Sequence, residues 1–215
     1  MNKKTAGDKA NNSHSVPFIV IEGIDGAGTT TQSSLLLDRL QSEGHTVWLT
    51  SEPTEGPVGR LLREVLSGRY SVAPETTAHL FAADRHEHLF GDGGISEKLR
   101  SGTTVLCDRY KYSSLAYQGV SADPDLVRML NDRFPPPDAL VYVDLPPDVG
   151  DERLAGRSSR EIYERLDIQN QVYDKYHKEI ERARLDTTVI RVDGTLDPET
   201  LLAKIYGALV DQSIL

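Results

Sequence analysis

A glycine-rich segment between residues 23 and 31 has the residue types that bind phosphate. It follows a short apolar run and leads into a segment with helical spacing. Glycines let backbone N–H groups turn towards phosphate oxygens, and the start of a helix adds a favourable dipole. Against the pattern G-x-x-x-x-G-K-[ST], Gly23 and Gly28 match, and Thr30 matches the hydroxyl that binds Mg²⁺. The segment predicts a phosphate-binding loop, and the alternative is a glycine-rich turn that binds nothing. The loop residues are Gly23, Ile24, Asp25, Gly26, Ala27, Gly28, Thr29, Thr30 and Thr31.

Position 29 departs from this pattern, because it holds threonine where the pattern has lysine. Such a lysine reaches the β- and γ-phosphates of a nucleotide and neutralises charge in the transition state. Removing one preorganised electrostatic donor typically costs ~10²–10³ in rate. Thr29 can donate a hydrogen bond but carries no charge. Either another cation supplies the charge, or the protein binds nucleotide without catalysis.

Two further groups of residues could recognise a nucleotide. Phe81 and Arg85 are four residues apart and share a helix face, so a ring that stacks on a base would lie beside a guanidinium that donates to a base carbonyl. Asp108 and Arg109 close an apolar run, where an acid can hold Mg²⁺ and an arginine can grip a phosphate. The alternative for the first pair is that Phe81 belongs to the core and Arg85 is a surface charge.

Arginines also cluster between residues 151 and 166, beside Gly156 and two serines. A mobile, arginine-bearing lid would exclude water and supply charge to a phosphoryl transfer. The alternative is a solvated basic turn whose charges pair with neighbouring acids. The arginines are Arg153, Arg157, Arg160 and Arg165.

The elements that must position these residues alternate between strands and helices. Near-continuous apolar strands separated by helices predict an α/β fold with a five-stranded parallel sheet covered on both faces, in three α/β/α layers. Ligands of such folds bind beyond the carboxyl ends of the strands. The expected strands are 16–22, 46–50, 103–107, 139–144 and 187–192. The expected helices are 30–43, 58–66, 74–90, 96–101, 160–184 and 198–210.

Composition narrows the function classes. The chain has 215 residues and a formal net charge of −9, which argues against a protein that coats nucleic acid. Its one cysteine, Cys107, excludes an internal disulfide and favours a reducing, cytoplasmic compartment. Residues 1–15 are polar and predict a disordered tail before a single domain at 16–215. No apolar run reaches the ~18 residues of a membrane span.

Four segments together resemble the thymidylate kinase family. They are the strand and loop at 18–28 with Thr-Thr-Gln at 30–32, Thr-Ser-Glu-Pro-Thr at 50–54, Leu-Phe-Ala-Ala-Asp-Arg at 80–85, and Asp-Arg-Tyr at 108–110 with its continuation to Gly119. Ser51 stands where the family has an arginine. The resemblance extends from Phe18 to about Gly207, and the last two segments are far more specific than the loop.

This resemblance implies a P-loop kinase that uses ATP and Mg²⁺ to phosphorylate dTMP to dTDP in nucleotide biosynthesis, working as a homodimer. It implies these dTMP-binding residues: Asp25, Phe81, Arg85, Arg109, Ser113, Ser114, Tyr117 and Gln118. Catalysis is assigned to Asp108, Arg109, Arg157 and Arg160, and metal binding to Thr30, Asp108 and Glu52. Two alternative interpretations remain open: that Tyr117 is a packing aromatic residue, and that Glu52 is a surface charge. Two other functions also remain open, a regulatory nucleotide-binding homologue and a kinase for another nucleoside or monophosphate.

Overall fold

The computed structural model describes residues 16–155, 163 and 165–215. The predicted tail at 1–15 lies outside these residues, as does half of the predicted lid. The strands are β1 (Phe18–Gly23), β2 (Val47–Ser51), β3 (Thr104–Asp108), β4 (Ala139–Asp144) and β5 (Thr188–Asp193). Within the described residues they form one parallel sheet in the order β2-β3-β1-β4-β5.

Helices cover both faces of this sheet, as apolar central strands require. All six residues of β1 and all five of β3 are buried. The helices are α1 (Thr29–Ser42), α2 (Pro57–Leu66), α3 (Pro74–Phe90), α4 (Ile95–Arg100), α5 (Lys111–Ser121), α6 (Pro124–Asp132), α7 (Pro147–Leu154), α8 (Leu166–Ala183) and α9 (Pro198–Asp211). Helix α1 packs against α9, and α5 packs against α8. The predicted three-layer α/β/α fold is confirmed.

The helix predicted at 160–184 is wrong at its start, because α8 begins at Leu166. Arg165 precedes it with an extended backbone, φ −84° and ψ 136°, which a helix cannot continue through. The sequence interpretation also omitted three helices, α5, α6 and α7. Two of them begin with proline at the first turn, where its fixed φ suits a helix and its missing N–H costs nothing.

Parallel pairing brings the chemically interesting segments to one edge of the sheet. Ile21 of β1 and Ser51 of β2 both pair with Asp108 of β3, so the carboxyl ends of these strands lie side by side. The glycine-rich loop, the segment after β2 and the segment after β3 therefore surround one opening. Among the described residues, no helix has both the length and the apolar character needed to cross a bilayer.

Candidate functional site

One cleft collects most of the predicted dTMP-binding residues. We call it the acceptor cleft. The predicted residues that line it are Asp25, Phe81, Arg85, Arg109, Ser113, Tyr117 and Gln118. Ser114 does not line it, and instead accepts a hydrogen bond from Arg85 at 3.0 Å.

Arg85 is a buried residue, with 1% of its surface exposed, which excludes the surface-charge alternative. Its Nε donates to Glu52 Oε2 at 2.8 Å, and its Nη1 donates to Asn131 Oδ1. The guanidinium also lies 5.4 Å from the centre of the Tyr110 ring. A buried charge needs this kind of pairing, and here the pairing fixes the guanidinium in the wall of the cleft.

Glu52 completes that network from the end of β2. Its second oxygen, Oε1, lies 3.1 Å from Nδ1 of His88, whose Nε2 contacts Thr50 at 2.7 Å. Glu52 is 5% exposed, which excludes the alternative that it is a surface charge. No hydrogen bond between described residues joins it to Thr30 or Asp108, the other predicted metal ligands. The structure pairs Glu52 with Arg85.

Arg109 has a backbone conformation that an L-residue rarely adopts, with φ of 70°. Its Nη2 donates to Asp25 Oδ1 at 2.7 Å, and its Nη1 donates to the carbonyl of Gly23 at 3.0 Å. The guanidinium lies 5.3 Å from the centre of the Tyr117 ring. Strained backbone of this kind clusters at functional sites. It aims Arg109 at the first residues of the glycine-rich loop.

Glu22 was missed in the sequence, although it anchors this part of the site. It is fully buried, and its Oε1 accepts the backbone N–H groups of Tyr110 at 2.8 Å and Ser113 at 3.1 Å. Its Oε2 accepts the hydroxyls of Ser113 at 2.6 Å and Tyr176 at 2.8 Å. Burial raises the pKa of Glu22, against the lowering effect of the Ser113 hydrogen bond and the Arg109 charge. The available signal was a carboxylate inside an apolar strand.

Two residues, one inside the segment of the arginine cluster and one just after it, were also missed. Gln169 of α8 donates from Nε2 to Asp25 Oδ2 and to the carbonyl of Tyr163, both at 2.8 Å. The Tyr163 ring lies edge-on to Tyr117, with 5.6 Å between centroids, and lines the acceptor cleft. A tyrosine and an amide give no local signal of this role. Their placement depends on how α8 packs against the loop.

The glycine-rich loop borders a second, more polar opening, which we call the phosphate cleft. Gly26 and Gly28 have φ of 83° and 88°, which glycine adopts freely and other residues rarely do. Asp25, Glu52 and Arg109 line both clefts, so the two are contiguous. The predicted loop residues that line the phosphate cleft are Ile24, Asp25, Gly26, Gly28, Thr29, Thr30 and Thr31. Gly23 and Ala27 do not line it.

Thr30 and Asp108 meet at this cleft and fit a magnesium ion. The Thr30 hydroxyl donates to Asp108 Oδ2 at 2.5 Å. Asp108 Oδ1 is buried and has no hydrogen-bond partner among the described residues. Mg²⁺ usually takes one or two protein oxygens and completes its shell with water and phosphate. The described part of the chain has no cluster of three acidic or imidazole ligands, and such a site does not need one.

Of the predicted arginine cluster, only part falls among the described residues. Arg157 and Arg160 lie outside them. Arg153, at the end of α7, is exposed and donates from Nη1 to the carbonyl of Gly26 at 3.3 Å. It lines the phosphate cleft. Among the arginines of the cluster that the structure describes, Arg153 is therefore the one at the loop.

Comparison with known proteins gives the same picture over most of the chain. A family model described as thymidylate kinase matches residues 21–205. Proteins of Treponema pallidum and Aeropyrum pernix, provisionally named thymidylate kinases, are both 42% identical; they match 78% and 82% of this chain and 80% and 85% of their own lengths. A Pyrobaculum aerophilum protein named as a probable thymidylate kinase is 36% identical over 87% of this chain and 93% of its own. With the fold and both clefts described, these matches show that the chain belongs to the thymidylate kinase family.

Proposed function

We propose that this protein transfers the γ-phosphoryl group of ATP to the 5′-phosphate of dTMP, which yields dTDP for dTTP synthesis. The contiguity of the two clefts carries the proposal, because Asp25 and Arg109 line both of them. A guanidinium at the junction can bind the acceptor phosphate through two hydrogen bonds. The glycine-rich loop can hold the donor phosphates through its backbone N–H groups.

The lining of the acceptor cleft suits a thymine ring. Phe81 offers an aromatic face for stacking. The guanidinium of Arg85 has five N–H donors, and its contacts with Glu52, Asn131 and Ser114 leave one for a base carbonyl. Gln118 Oε1 is buried without a partner among the described residues, so it can accept the N–H of the base. Cytosine lacks that N–H and presents an amino group instead.

Phosphoryl transfer of this kind rests on positioning and charge, and needs little covalent chemistry from the protein. Arg109 would orient the attacking oxygen of dTMP, and Asp25 would hold Arg109 in place. Thr30 and Asp108 would hold Mg²⁺. When bound, Mg²⁺ neutralises charge on the donor phosphates. The acceptor is already an ionised phosphate, so a strong general base is hardly required.

The finer proposals concern assembly and compartment. Exposed apolar side chains lie on α2 and α6 and at the end of α3, at Leu61, Met129 and Phe90. Helix α3 packs against both α2 and α6, so these residues lie on neighbouring helices that a second copy of the chain could cover. We propose a homodimer through these helices. We also propose the cytoplasm, where ATP is abundant and a free buried cysteine stays reduced.

A coupled assay of ADP release tests the function directly. The panel contains dTMP, dCMP, dGMP and thymidine, with ATP and Mg²⁺. We expect the highest kcat/KM for dTMP, and a loss of about 10²-fold for Arg109→Ala, since one preorganised charge contact disappears. The matched control is Arg184→Ala, an exposed arginine paired with Glu181. Equal rates on all monophosphates would contradict the acceptor assignment. A chain without turnover on any acceptor would favour the regulatory homologue that Thr29 suggests.

A further inference from the structure

A third cleft lies between α5, α6 and α8, and it shares no lining residue with the acceptor cleft or the phosphate cleft. We call it the basic cleft. Four of its lining side chains are cations and two are carboxylates, although the whole chain has a formal net charge of −9. Positive charge is therefore concentrated at this surface, against the balance of the protein. The charged lining residues are Asp125, Arg128, Lys175, Lys178, Glu179 and Arg182.

Helix α8 presents most of these charges on one face. They stand at positions i, i+3, i+4 and i+7 of the helix, as Lys175, Lys178, Glu179 and Arg182. Glu179 is 7% exposed, and its Oε1 accepts one N–H from Arg128 of α6 and one from Arg182, both at 2.7 Å. A single carboxylate thus holds two guanidiniums in place but neutralises only one of their charges. Each guanidinium has five N–H donors, and in the described part of the chain each uses only one of them here.

The two lysines of the basic cleft have no carboxylate partner in the described part of the chain. Among those residues, neither Lys175 nor Lys178 makes a hydrogen bond or an ion pair. The Lys175 side chain lies against α5, and a Cβ placed on Gly119 would lie 3.5 Å from its Cδ and 3.6 Å from its Nζ. This contact holds the ammonium at the cleft. Cations gathered in this way repel one another, and a bound anion removes that cost.

Asp125 has the opposite charge and limits where an anion can bind in the basic cleft. It lies in the first turn of α6, is exposed, and pairs with no cation among the described residues. Its carboxylate repels an anion placed beside it. The favoured position is therefore on the α8 side of the cleft, near the lysines and the two guanidiniums. Removing the Asp125 charge should strengthen binding, whereas removing the lysine charges should weaken it.

We propose that the basic cleft binds an anion with two or three linked phosphate groups, at a site separate from phosphoryl transfer. Guanidiniums match the geometry of phosphate oxygens through paired hydrogen bonds, and lysines add point charges. One phosphate group is too small to contact four cationic side chains on two helices, whereas a di- or triphosphate can reach them. The bound anion braces α6 against α8. These helices support the acceptor cleft, since Asn131 of α6 accepts from Arg85 and Gln169 of α8 donates to Asp25.

Calorimetry with sodium tripolyphosphate tests the proposal. The protein is first saturated with dTMP and the Mg²⁺ complex of a non-hydrolysable ATP analogue, so that the glycine-rich loop is occupied, and free Mg²⁺ is equal in both solutions. We expect one tripolyphosphate per chain. Lys175→Gln/Lys178→Gln should weaken its binding at least ~10-fold, since charged hydrogen bonds are lost, and Asp125→Asn should strengthen it about 3-fold. The control is Lys98→Gln/Lys204→Gln, which changes two lysines that line none of the three clefts.

Thermal unfolding under the same conditions gives a second measurement. Tripolyphosphate should raise the Tm of the wild type and of the control by a few degrees, because an anion that binds only the folded protein stabilises it. The Tm of the double lysine variant should change by less than about one degree. A parallel titration with GTP identifies the source of the phosphates. Tighter binding of GTP assigns the site to a nucleoside triphosphate, and tighter binding of tripolyphosphate assigns it to free polyphosphate.

Several results would overturn the inference. One is the absence of binding to the saturated protein, and another is equal affinity of the wild type and the double lysine variant. Weaker binding to Asp125→Asn would contradict the proposed position of the anion. Orthophosphate that bound as tightly as tripolyphosphate would contradict the need for linked phosphates, and pentaglutamate that bound as tightly would assign the surface to an acidic peptide. Because none of these measurements depends on turnover of dTMP, their failure would leave the proposed function unaffected.

Discussion

The acceptor cleft and the phosphate cleft are built in opposite ways. In the acceptor cleft, charged side chains are bound to one another: Arg85 and Glu52 form a buried pair, and Arg109 and Asp25 form a partly buried one. In the phosphate cleft, the glycine-rich loop forms part of the lining, and Arg153 is exposed and held, among the described residues, by one hydrogen bond of 3.3 Å. The first region is ordered by its own residues. The second leaves its strongest interactions to be made by the ligand.

This difference follows from what each cleft has to bind. A base is neutral and must be recognised by a few donors and acceptors in fixed positions, which only a satisfied buried network provides. A triphosphate brings its own charge and metal ion, so backbone N–H groups and a movable cation suffice. Substitutions in the first region should therefore affect stability and recognition together. Substitutions in the second should affect the reaction while the fold stays intact.

The largest effect should come from breaking the buried ion pair. Arg85→Met removes the guanidinium partner of Glu52 and leaves this buried carboxylate with its His88 contact alone among the described residues. Breaking a buried ion pair in this way costs about 3–5 kcal/mol. Urea unfolding followed by circular dichroism measures the change. Arg184→Met is the matched control on an exposed pair, with an expected change within about 0.5 kcal/mol. If Arg85→Met lowered the free energy of unfolding by less than about 1 kcal/mol, the acceptor cleft would not differ from the phosphate cleft in the way described.

A substitution at Asp108, in the phosphate cleft, should reduce activity while the fold stays intact. Asp108→Asn keeps the size of the side chain and an oxygen for the Thr30 hydroxyl, but it removes the charge that suits Mg²⁺. We expect kcat to fall about 10²–10³-fold and the Mg²⁺ requirement to rise, with Tm shifted by no more than a few degrees. The control is Asp193→Asn, at the end of β5, where the carboxylate bonds Thr195. An unchanged Mg²⁺ dependence would remove Asp108 from the metal site.

A smaller effect, with a characteristic pH dependence, is expected at Glu22. Glu22→Gln replaces an acceptor of four hydrogen bonds with an amide that can accept only through one atom, at a cost of about 1–3 kcal/mol. Since burial raises the pKa of Glu22 above 4.5, the folded protein holds this proton more tightly than the unfolded chain. The Glu22 contribution to stability is then complete below pH 4.5 and declines as the pH rises through the folded pKa.

The substitution should therefore cost more at pH 5 than at pH 8, because glutamine does not titrate. Denaturant unfolding of the wild type and Glu22→Gln across that range measures the difference. A cost that grows with pH would mean that the hydrogen bonds and the Arg109 charge outweigh burial, and that the carboxylate form is the favoured one in the folded protein.

The sequence was informative where spacing along the chain decides the outcome. The loop at 23–31 and the pair Phe81 and Arg85 carry their signal in a few consecutive residues, and the structure brings them to two contiguous clefts. Glu22 showed a carboxylate inside an apolar strand, but no spacing pointed to its role, because its partners Tyr110, Ser113 and Tyr176 are distant in sequence. Gln169 contacts Asp25 across 144 positions of sequence, which no local pattern reports. The start of α8 was predicted too early because the polar, charged residues before Leu166 are also typical of a helix, whereas the backbone of Arg165 is extended.

The central claim is that the acceptor cleft is formed in advance for dTMP, without help from the donor side. Calorimetric titration of the free protein with dTMP and with dCMP, in the absence of ATP and Mg²⁺, tests it most directly. The account predicts that dTMP binds at least ~10-fold more tightly than dCMP, since one mismatched hydrogen bond in a polar site costs about 1–3 kcal/mol. The affinity for dTMP should be the same in Arg153→Ala. Equal affinities for the two nucleotides, or no binding of dTMP until an ATP analogue is added, would contradict the account.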